Sequence, residues 1–265
     1  MRNGKVAGLV VTVLALFGTS ASIAHAELTE RGDLFVRFNG GIAPNALPRE
    51  ELAPISVRVE GTVKTLSGER PPALRQIRIE LNRGGRINSR GLPVCGYDQI
   101  VAASGRQAMQ TCGPARVGDG VFRANTAFPE QDTFPSRGQI VAFNAVSKGH
   151  EAILAHVYGE DPVPITRIIV FRIRRTPGTF GTVLTGDLPI AVNRYGYVQS
   201  ISLSLHRRYV YRGQARSYIS AACAAPAGFF SAFFPFARTS MTFEDGRTLS
   251  SVLTRSCAVN RSPVR

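Results

Sequence analysis

Three histidines lie beyond the first 26 residues, and they are the residues best suited to acid–base chemistry: His150, His156 and His206. A hydrolase with a histidine base also needs a hydroxyl nucleophile and an orienting carboxylate within mutual reach. His156 stands in an apolar run, whereas His206 precedes Arg207 and Arg208, two cations that favour a neutral ring. The chain contains no Gly-x-Ser-x-Gly elbow. A secreted hydrolase of polysaccharide or ester that uses His156 or His206 with a carboxylate stays open as an alternative.

A second group of residues is suited to binding an anionic polymer. Five tyrosines fall within 24 residues and alternate with arginines. Guanidinium groups form charge-assisted hydrogen bonds with carboxylates and phosphates, and aromatic faces attract cations and stack. We predict that this segment binds an anionic cell-wall polymer or glycan. The predicted binding residues are Tyr195, Tyr197, Arg208, Tyr209, Tyr211, Arg212 and Tyr218. Ordinary packing of the tyrosines between neighbouring strands is the alternative.

The sequence predicts neither a metal site nor a cofactor. The cysteines lack CxxC spacing and nearby histidines, which a zinc site requires. The Val117–Gly120 turn supplies a single acid, too few for a calcium loop. No glycine-rich phosphate loop follows a strand-like segment. These features favour a non-enzymatic binding or envelope protein over an enzyme.

Four cysteines, Cys95, Cys112, Cys223 and Cys257, indicate two disulfides if the chain is exported. Three connectivities are possible. We predict Cys95–Cys112 and Cys223–Cys257, because each pair encloses an irregular stretch rich in Gly and Ala. The loops of 17 and 34 residues would stabilise the fold by about 3 and about 4 kcal/mol in the chain-entropy treatment.

The first 26 residues have the order of a secretory signal. A basic start with Arg2 and Lys5 precedes the apolar segment Val6–Phe17, and small residues end at Ala26. Cleavage after Ala26 would leave Glu27–Arg265 and lower the net charge from +14 to +12. An uncleaved anchor is the alternative. No later segment is long and apolar enough to span a membrane, so we predict a secreted or extracytoplasmic protein.

Arginine greatly outnumbers lysine, 29 to 3, and these basic residues are scattered along the chain. A nucleic-acid binder usually clusters its cations on one element or face. The bias is typical of a GC-rich genome, because arginine codons are GC-rich. The sequence therefore predicts attraction to anionic surfaces without specific nucleic-acid recognition.

Alternation of apolar and polar residues with a period of two covers most of the mature chain. Ile201, Leu203 and Leu205 alternate with serines, for example. This period places apolar side chains on one face of a strand, as in antiparallel sheets with one solvated face. We predict an all-β fold, an antiparallel β-sandwich or jelly roll of about a dozen strands, with one short helical segment near 97–110. We predict one domain, with an irregular arm at 40–54.

Five phenylalanines crowd eight positions inside the second cysteine loop: Phe229, Phe230, Phe233, Phe234 and Phe236. Pro235 and the enclosing disulfide favour a plug that fills one end of the core. An apolar surface for a lipid or a partner is the alternative.

Several short motifs resemble those of an uncharacterised family of secreted bacterial proteins from high-GC genomes. The resemblance covers about Leu81 to Cys257. It implies export and a single β-rich domain, and it transfers no functional residue. The motifs are Gly91–Cys95, Pro129–Gln131 with Phe134–Ser136, Ala142–Asn144, Leu154–Gly159, Gly178–Thr182, Ser217–Ser220, Phe236–Ser240 and Asp245–Leu249.

Overall fold

The computed structural model describes residues 26–126, 132–161, 164–188 and 196–260. The predicted signal segment lies outside these ranges except for Ala26. In the described ranges the chain forms 18 strands and two short α-helices, so the predicted all-β class is confirmed.

The strands are β1 (Glu27–Arg31), β2 (Leu34–Ala43), β3 (Ala46–Leu47), β4 (Ala53–Pro54), β5 (Ser56–Thr65), β6 (Leu74–Asn82), β7 (Gly85–Ile87), β8 (Arg116–Thr126), β9 (Phe134–Ser147), β10 (His150–Gly159), β11 (Ile165–Arg175), β12 (Phe180–Asp187), β13 (Gly196–Leu205), β14 (Arg208–Tyr211), β15 (Gln214–Ser217), β16 (Ile219–Ala221), β17 (Ser231–Phe243) and β18 (Thr248–Val259). The helices are α1 (Tyr97–Ile100) and α2 (Gly105–Cys112), followed by a 3₁₀ turn at Gly113–Ala115. They occupy the segment near 97–110 that was predicted to be helical.

Thirteen strands form one hydrogen-bonded sheet in the order β1-β2-β5-β13-β8-β9-β10-β11-β12-β6-β17-β18-β3. Each adjacent pair is antiparallel except β18 and β3, which are parallel. Two small sheets, β14-β15 and β4-β16-β7, accompany it. The segment 40–54, predicted to be an irregular arm, instead completes β2 and supplies β3 and β4, because its backbone groups find partners on β18 and β16.

The large sheet curls until its two halves face each other around a common core. β5 and β17 are far apart in the strand order, yet Met241 of β17 packs against Gly61 of β5. A Cβ atom at position 61 would lie 2.4 Å from Met241 Cε, so the glycine lets this side chain pack directly against the β5 backbone. The core between the halves contains the apolar alternation seen in the sequence, including Leu203 of β13 and Leu253 of β18. The halves thus pack as the two layers of a sandwich.

The middle of the sheet is buried on both faces. On the outer face of β9, β10 and β11, the two helices cover Phe143, Leu154 and Ile168. The side chain of Ser104 caps α2 by accepting a hydrogen bond from the Gln107 backbone N–H at 3.3 Å. The continuous apolar runs in these strands reflect this two-sided burial.

Both predicted disulfides are confirmed. Cys95–Cys112 closes a loop of 17 residues and ties α2 to the chain that enters α1. Cys223–Cys257 closes a loop of 34 residues and ties β18 to the segment after β16. The sulfur atoms of both pairs are buried within the two apolar clusters.

Candidate functional site

His156 is buried in a position that suits structure better than catalysis. Its ring is 0% exposed, and Nε2 donates a hydrogen bond to the Ala103 carbonyl at 2.9 Å. Burial lowers the pKa of His156, since the charged ring would lose its hydration. Its Nδ1 has no hydrogen-bond partner. A neutral ring held by a backbone carbonyl lacks the carboxylate that a hydrolytic site needs.

His206 is half exposed, and its Nε2 lies 3.4 Å from Asp119 Oδ1. The same carboxylate oxygen accepts a hydrogen bond from Arg116 Nη2 at 2.5 Å, so Arg116 already engages this acid. In the described parts of the chain, no hydrogen bond joins His206 to a hydroxyl group. Around neither histidine do the described residues assemble a nucleophile, a base and an orienting acid.

The described tyrosines predicted to form one site divide between the β14–β15 hairpin, the core and the far end of β13. Tyr209 and Tyr211 lie on the β14–β15 hairpin and pack on the segment 88–91. Tyr209 Oη donates to the Arg90 carbonyl at 2.9 Å. The ring of Tyr211 covers Gly91, and a Cβ atom at position 91 would lie 2.2 Å from this ring. Gly91 also has a φ of +87°, a backbone conformation that favours glycine. Both side chains therefore pack against the protein and stabilise the position of the hairpin.

The remaining predicted residues divide between core, hairpin and sheet. Tyr218 is 0% exposed, and burial raises the pKa of its phenol strongly, so its side chain is part of the core. Arg208 and Arg212 are exposed on the hairpin, and Arg212 stacks on the Tyr211 ring with Cζ 5.3 Å from its centroid. Tyr195 lies outside the described residues.

Tyr197 lies near the start of β13, at the opposite end of that strand from the hairpin. Eight residue steps of roughly 3.4 Å place Tyr197 about 27 Å from Leu205, the end of β13 that leads to Arg208 and the hairpin. Tyr197 borders a polar groove of about 660 Å³ on the outer face of β5, β13 and β8. Ligand sites in proteins commonly enclose roughly 300 to 1,000 Å³. Of the predicted site residues, Tyr197 is the one that this groove includes.

The groove is built from the polar face of three neighbouring strands. Ser200 of β13 lies opposite Thr62 of β5 on one side and Arg123 of β8 on the other. Ser202 in the next row lies opposite Glu60 and Val121. A register shift between Val198 and Ser200 turns Gln199 and Ser200 together toward the groove. Hydroxyl and amide groups thus form its floor.

The groove is completed by the loop between β5 and β6, which Arg70 holds in place, and by the side chain of Lys64. Gly68, Glu69 and Pro71, from the connection between β5 and β6, form one wall. Arg70 fastens this loop to the sheet, because its Nη2 donates to the Gly196 carbonyl at 3.0 Å. Lys64 projects from β5 into the same space.

Arg123 has a second arginine beside it. Arg137 of β9 lies directly opposite Arg123 in the ladder, and both side chains are exposed. Like charges directly opposite each other on one sheet face repel. No ion pair joins a carboxylate to Arg123, Arg137 or Lys64 in the described ranges, whereas Arg58 lies 3.4 Å from Glu60. Glu69 also borders the groove, but no ion pair within 4.0 Å joins it to these three cations among the described residues, so this end carries an excess of positive charge.

The phenylalanine stretch is mostly a surface feature. Phe236 is buried at 4% exposure, as the core-plug prediction requires. For Phe229, Phe230 and Phe233 the prediction is wrong, since they are 64%, 59% and 83% exposed. The turn that carries them is fixed by Arg49, whose guanidinium donates to the carbonyls of Pro226 and Phe229, both at 2.8 Å.

Comparison with protein-family models, with curated proteins and with solved structures finds no match to this chain. Among the described residues, no helix has the length and apolarity needed to cross a membrane. Nor do three or more His, Cys, Asp or Glu side chains gather there in a way that could hold a metal ion.

The sequence contains part of the signal for the groove. The alternating polar positions of β5 and β13 mark them as wet strand faces. The sequence does not show that β13 inserts between β5 and β8, because the three strands come from distant parts of the chain. Arg123 and Arg137 were therefore missed as site residues, although both sit at alternating polar positions.

Proposed function

We propose that this chain works outside the cytoplasm as a non-enzymatic, envelope-associated binding protein, and that it holds an anionic glycan along the groove between β5, β13 and β8. Export is supported by the signal-like N-terminus, by two disulfides and by the resemblance to secreted proteins. A binding role is favoured over hydrolysis because His156 and His206 lack the partners that a catalytic base needs.

The cross-strand pair Arg123–Arg137 is the observation that carries the proposal. Two guanidinium groups held side by side would each gain from an intervening carboxylate or phosphate, which also relieves their mutual repulsion. Lys64 extends the positive region across the groove. Ser200, Gln199 and Thr62 supply neutral donors and acceptors that match sugar hydroxyls. Tyr197 contributes an aromatic wall.

A pair of double variants tests this site. Arg123→Ala with Arg137→Ala removes one charge from the groove lining and one from the strand position directly beside it, and Arg208→Ala with Arg212→Ala removes two from the β14–β15 hairpin. Both lower the predicted mature charge from +12 to +10. Binding of polygalacturonate, with neutral dextran as the reference, is measured by titration calorimetry at physiological salt, where exposed charges are screened beyond about 8 Å.

We expect the groove variant to bind polygalacturonate at least about tenfold more weakly than the wild type, because two charge-assisted hydrogen bonds exceed the 1.4 kcal/mol that a factor of ten requires. The hairpin variant should stay within about twofold of the wild type. Equal losses would mean that net charge alone attracts the polymer, and a larger loss in the hairpin variant would move the site to Tyr209 and Tyr211. Either result, or no binding by the wild type, overturns the proposal.

A further inference from the structure

A second, partly open cavity lies on the inner side of the curled sheet, and Tyr197 borders both this cavity and the polar groove. It has a volume of about 140 Å³ and is lined mainly by β8, β9, β10, β11 and β13. Its lining is mainly hydrocarbon: Phe122, Ile140, Val157, Ile165, Ile169, Leu188, Val198 and Ile201. A dry cavity of about 150 Å³ with such a lining holds one benzene ring. The space therefore fits a single ring or a short branched hydrocarbon group.

One charged side chain enters this apolar surface from β11. The inward positions of β11 are Ile165, Arg167, Ile169, Phe171 and Ile173, of which four are hydrocarbon. Arg167 lies directly opposite Val157 of β10, which also lines the cavity. An arginine in the inward series of a strand is costly unless its donors are paired.

The donors of Arg167 are incompletely used. Its Nη1 donates to the carbonyl of Thr166 at 2.8 Å. This hydrogen bond uses only one of the five guanidinium hydrogens. Its Nε is buried and forms no hydrogen bond. Asp161 lines the same cavity, yet no ion pair within 4.0 Å joins it, or any other described carboxylate, to Arg167. Among the described residues this guanidinium has no carboxylate partner within 4.0 Å, so it can pair with the anionic group of a ligand.

A neutral donor accompanies it. Asn125 Nδ2 donates to Tyr197 Oη at 2.5 Å, and both residues line the cavity. Because Tyr197 Oη accepts this hydrogen bond, its own hydroxyl hydrogen is available to a ligand. The polar groups are few and the remaining wall is apolar, which is the composition of small-molecule sites.

We infer that this cavity binds a small apolar carboxylic acid, with its ring or short alkyl group among the isoleucines and its carboxylate paired with Arg167. Guanidinium and carboxylate match in geometry and can form two parallel hydrogen bonds. The apolar lining excludes strongly hydrated ligands such as sugars, so this site and the glycan groove select different chemistry. Bound acid would satisfy the buried Nε donor that the ligand-free protein leaves unpaired.

Benzoate and hexanoate are the probes, with benzyl alcohol and hexanol as neutral counterparts of similar shape. Binding to the mature protein is followed by titration calorimetry and by chemical-shift changes of the cavity methyl groups. Arg167→Met keeps the length of the side chain and removes its charge. Arg174→Met, at an exposed position of the same strand, is the matched control.

We expect the wild type and Arg174→Met to bind benzoate or hexanoate, and Arg167→Met to bind it at least about tenfold more weakly, as the loss of a charge-assisted pair predicts. The alcohols should bind Arg167→Met as well as they bind the wild type. Ligand-free Arg167→Met should also melt about 2 to 4 °C higher than the wild type, since an unpaired buried donor is gone.

A blocked cavity provides an independent check. Val157→Phe places a ring in the space and should abolish binding of acids and alcohols alike, while the fold is verified by near-ultraviolet circular dichroism. The inference fails if the wild type binds neither acid. It also fails if Arg167→Met retains full affinity for benzoate and hexanoate, or if Val157→Phe still binds them.

Discussion

The carboxylate of Glu80 on β6 accepts a hydrogen bond from the Nε of Arg238, which lies directly opposite it on β17. Glu80 is 5% exposed, and its other carboxylate oxygen lies 2.9 Å from Arg78 Nη2. The hydrogen bond from Arg238 is the main reason that the pKa of Glu80 lies below its usual value of 4.5. This acid therefore fastens two strands together in its charged form.

Removal of Arg238 should reveal how much this contact stabilises the sheet. We expect Arg238→Ala to lower the free energy of unfolding by about 1 to 3 kcal/mol, because it leaves a buried carboxylate with one partner fewer. Arg172→Ala is the control, since it breaks the exposed pair with Asp187 and should cost less than about 1 kcal/mol. Urea unfolding at pH 7 measures both. Equal costs would contradict the role assigned to Glu80.

Glu80 also predicts how the free energy of unfolding depends on pH. A carboxyl with a lowered folded-state pKa contributes stability that is complete above its unfolded pKa, 4.5, and that is lost as the pH falls through the folded value. The Glu80→Gln variant should therefore show a flatter decline of stability below that pH than the wild type.

His156 predicts a second loss of stability, at a pH higher than the one at which Glu80 acts. Its folded-state pKa is lowered from 6.5 by burial, so the unfolded chain binds the proton more readily. The stability that the neutral ring contributes is complete above 6.5 and falls as the pH drops toward the folded value. His156→Phe should remove this dependence and cost about 0.5 to 1.5 kcal/mol at pH 8, because the hydrogen bond from the ring to the Ala103 carbonyl is lost while Thr166 Oγ1 still donates to that oxygen.

The measurement for His156 is urea unfolding at a series of pH values between 8 and 5. The wild type and His156→Phe are measured in parallel at every pH, and the difference between their curves isolates the contribution of this ring. A His156→Phe curve that declines as steeply as the wild type would assign the dependence to other groups.

The two kinds of phenylalanine in one stretch should respond differently to truncation. The triple change of Phe229, Phe230 and Phe233 to Ser should alter the free energy of unfolding by no more than about 1.5 kcal/mol, because the three side chains are mostly exposed and exposed substitutions rarely exceed roughly 0.5 kcal/mol each. Phe236→Ala should cost about 3 to 5 kcal/mol, since it opens a cavity in the core.

Thermal and urea unfolding of the two phenylalanine variants give the comparison. A large loss in the triple variant would show that the three rings pack against protein in solution. A small loss for Phe236→Ala would mean that the core can close around the missing ring.

Local features of this fold are readable from the sequence, and distant ones are not. Strand alternation, as in Ile201, Leu203 and Leu205, depends on neighbours two residues away and was predicted correctly. The disulfide pairs follow from short loops. Tyr218 was predicted to bind a ligand because it belongs to the cluster of tyrosines that alternate with arginines. It lies between β15 and β16, and its ring is buried in the core.

The candidate sites depend on contacts that periodicity does not encode. Arg123 and Arg137 become neighbours only because β8 and β9 pair in one register. Arg167 stands in an apolar run in which either face could point inward, since β11 is buried on both sides. The exposed side of the phenylalanine turn is set by hydrogen bonds from Arg49, more than 170 positions earlier in the chain.

The two ends of the described chain meet in the finished sheet. Arg255 on β18 donates from Nη1 to Glu27 Oε1 at 2.9 Å across 228 positions, and from Nε to the Gly40 carbonyl. β3 likewise pairs with the last residues of β18. The first strands thus gain these partners only after β18 has been synthesised. Contacts of such long range slow folding. Under the proposed export, this delay would keep the chain unfolded during its passage across the membrane, and the sheet would close only after β18 had crossed.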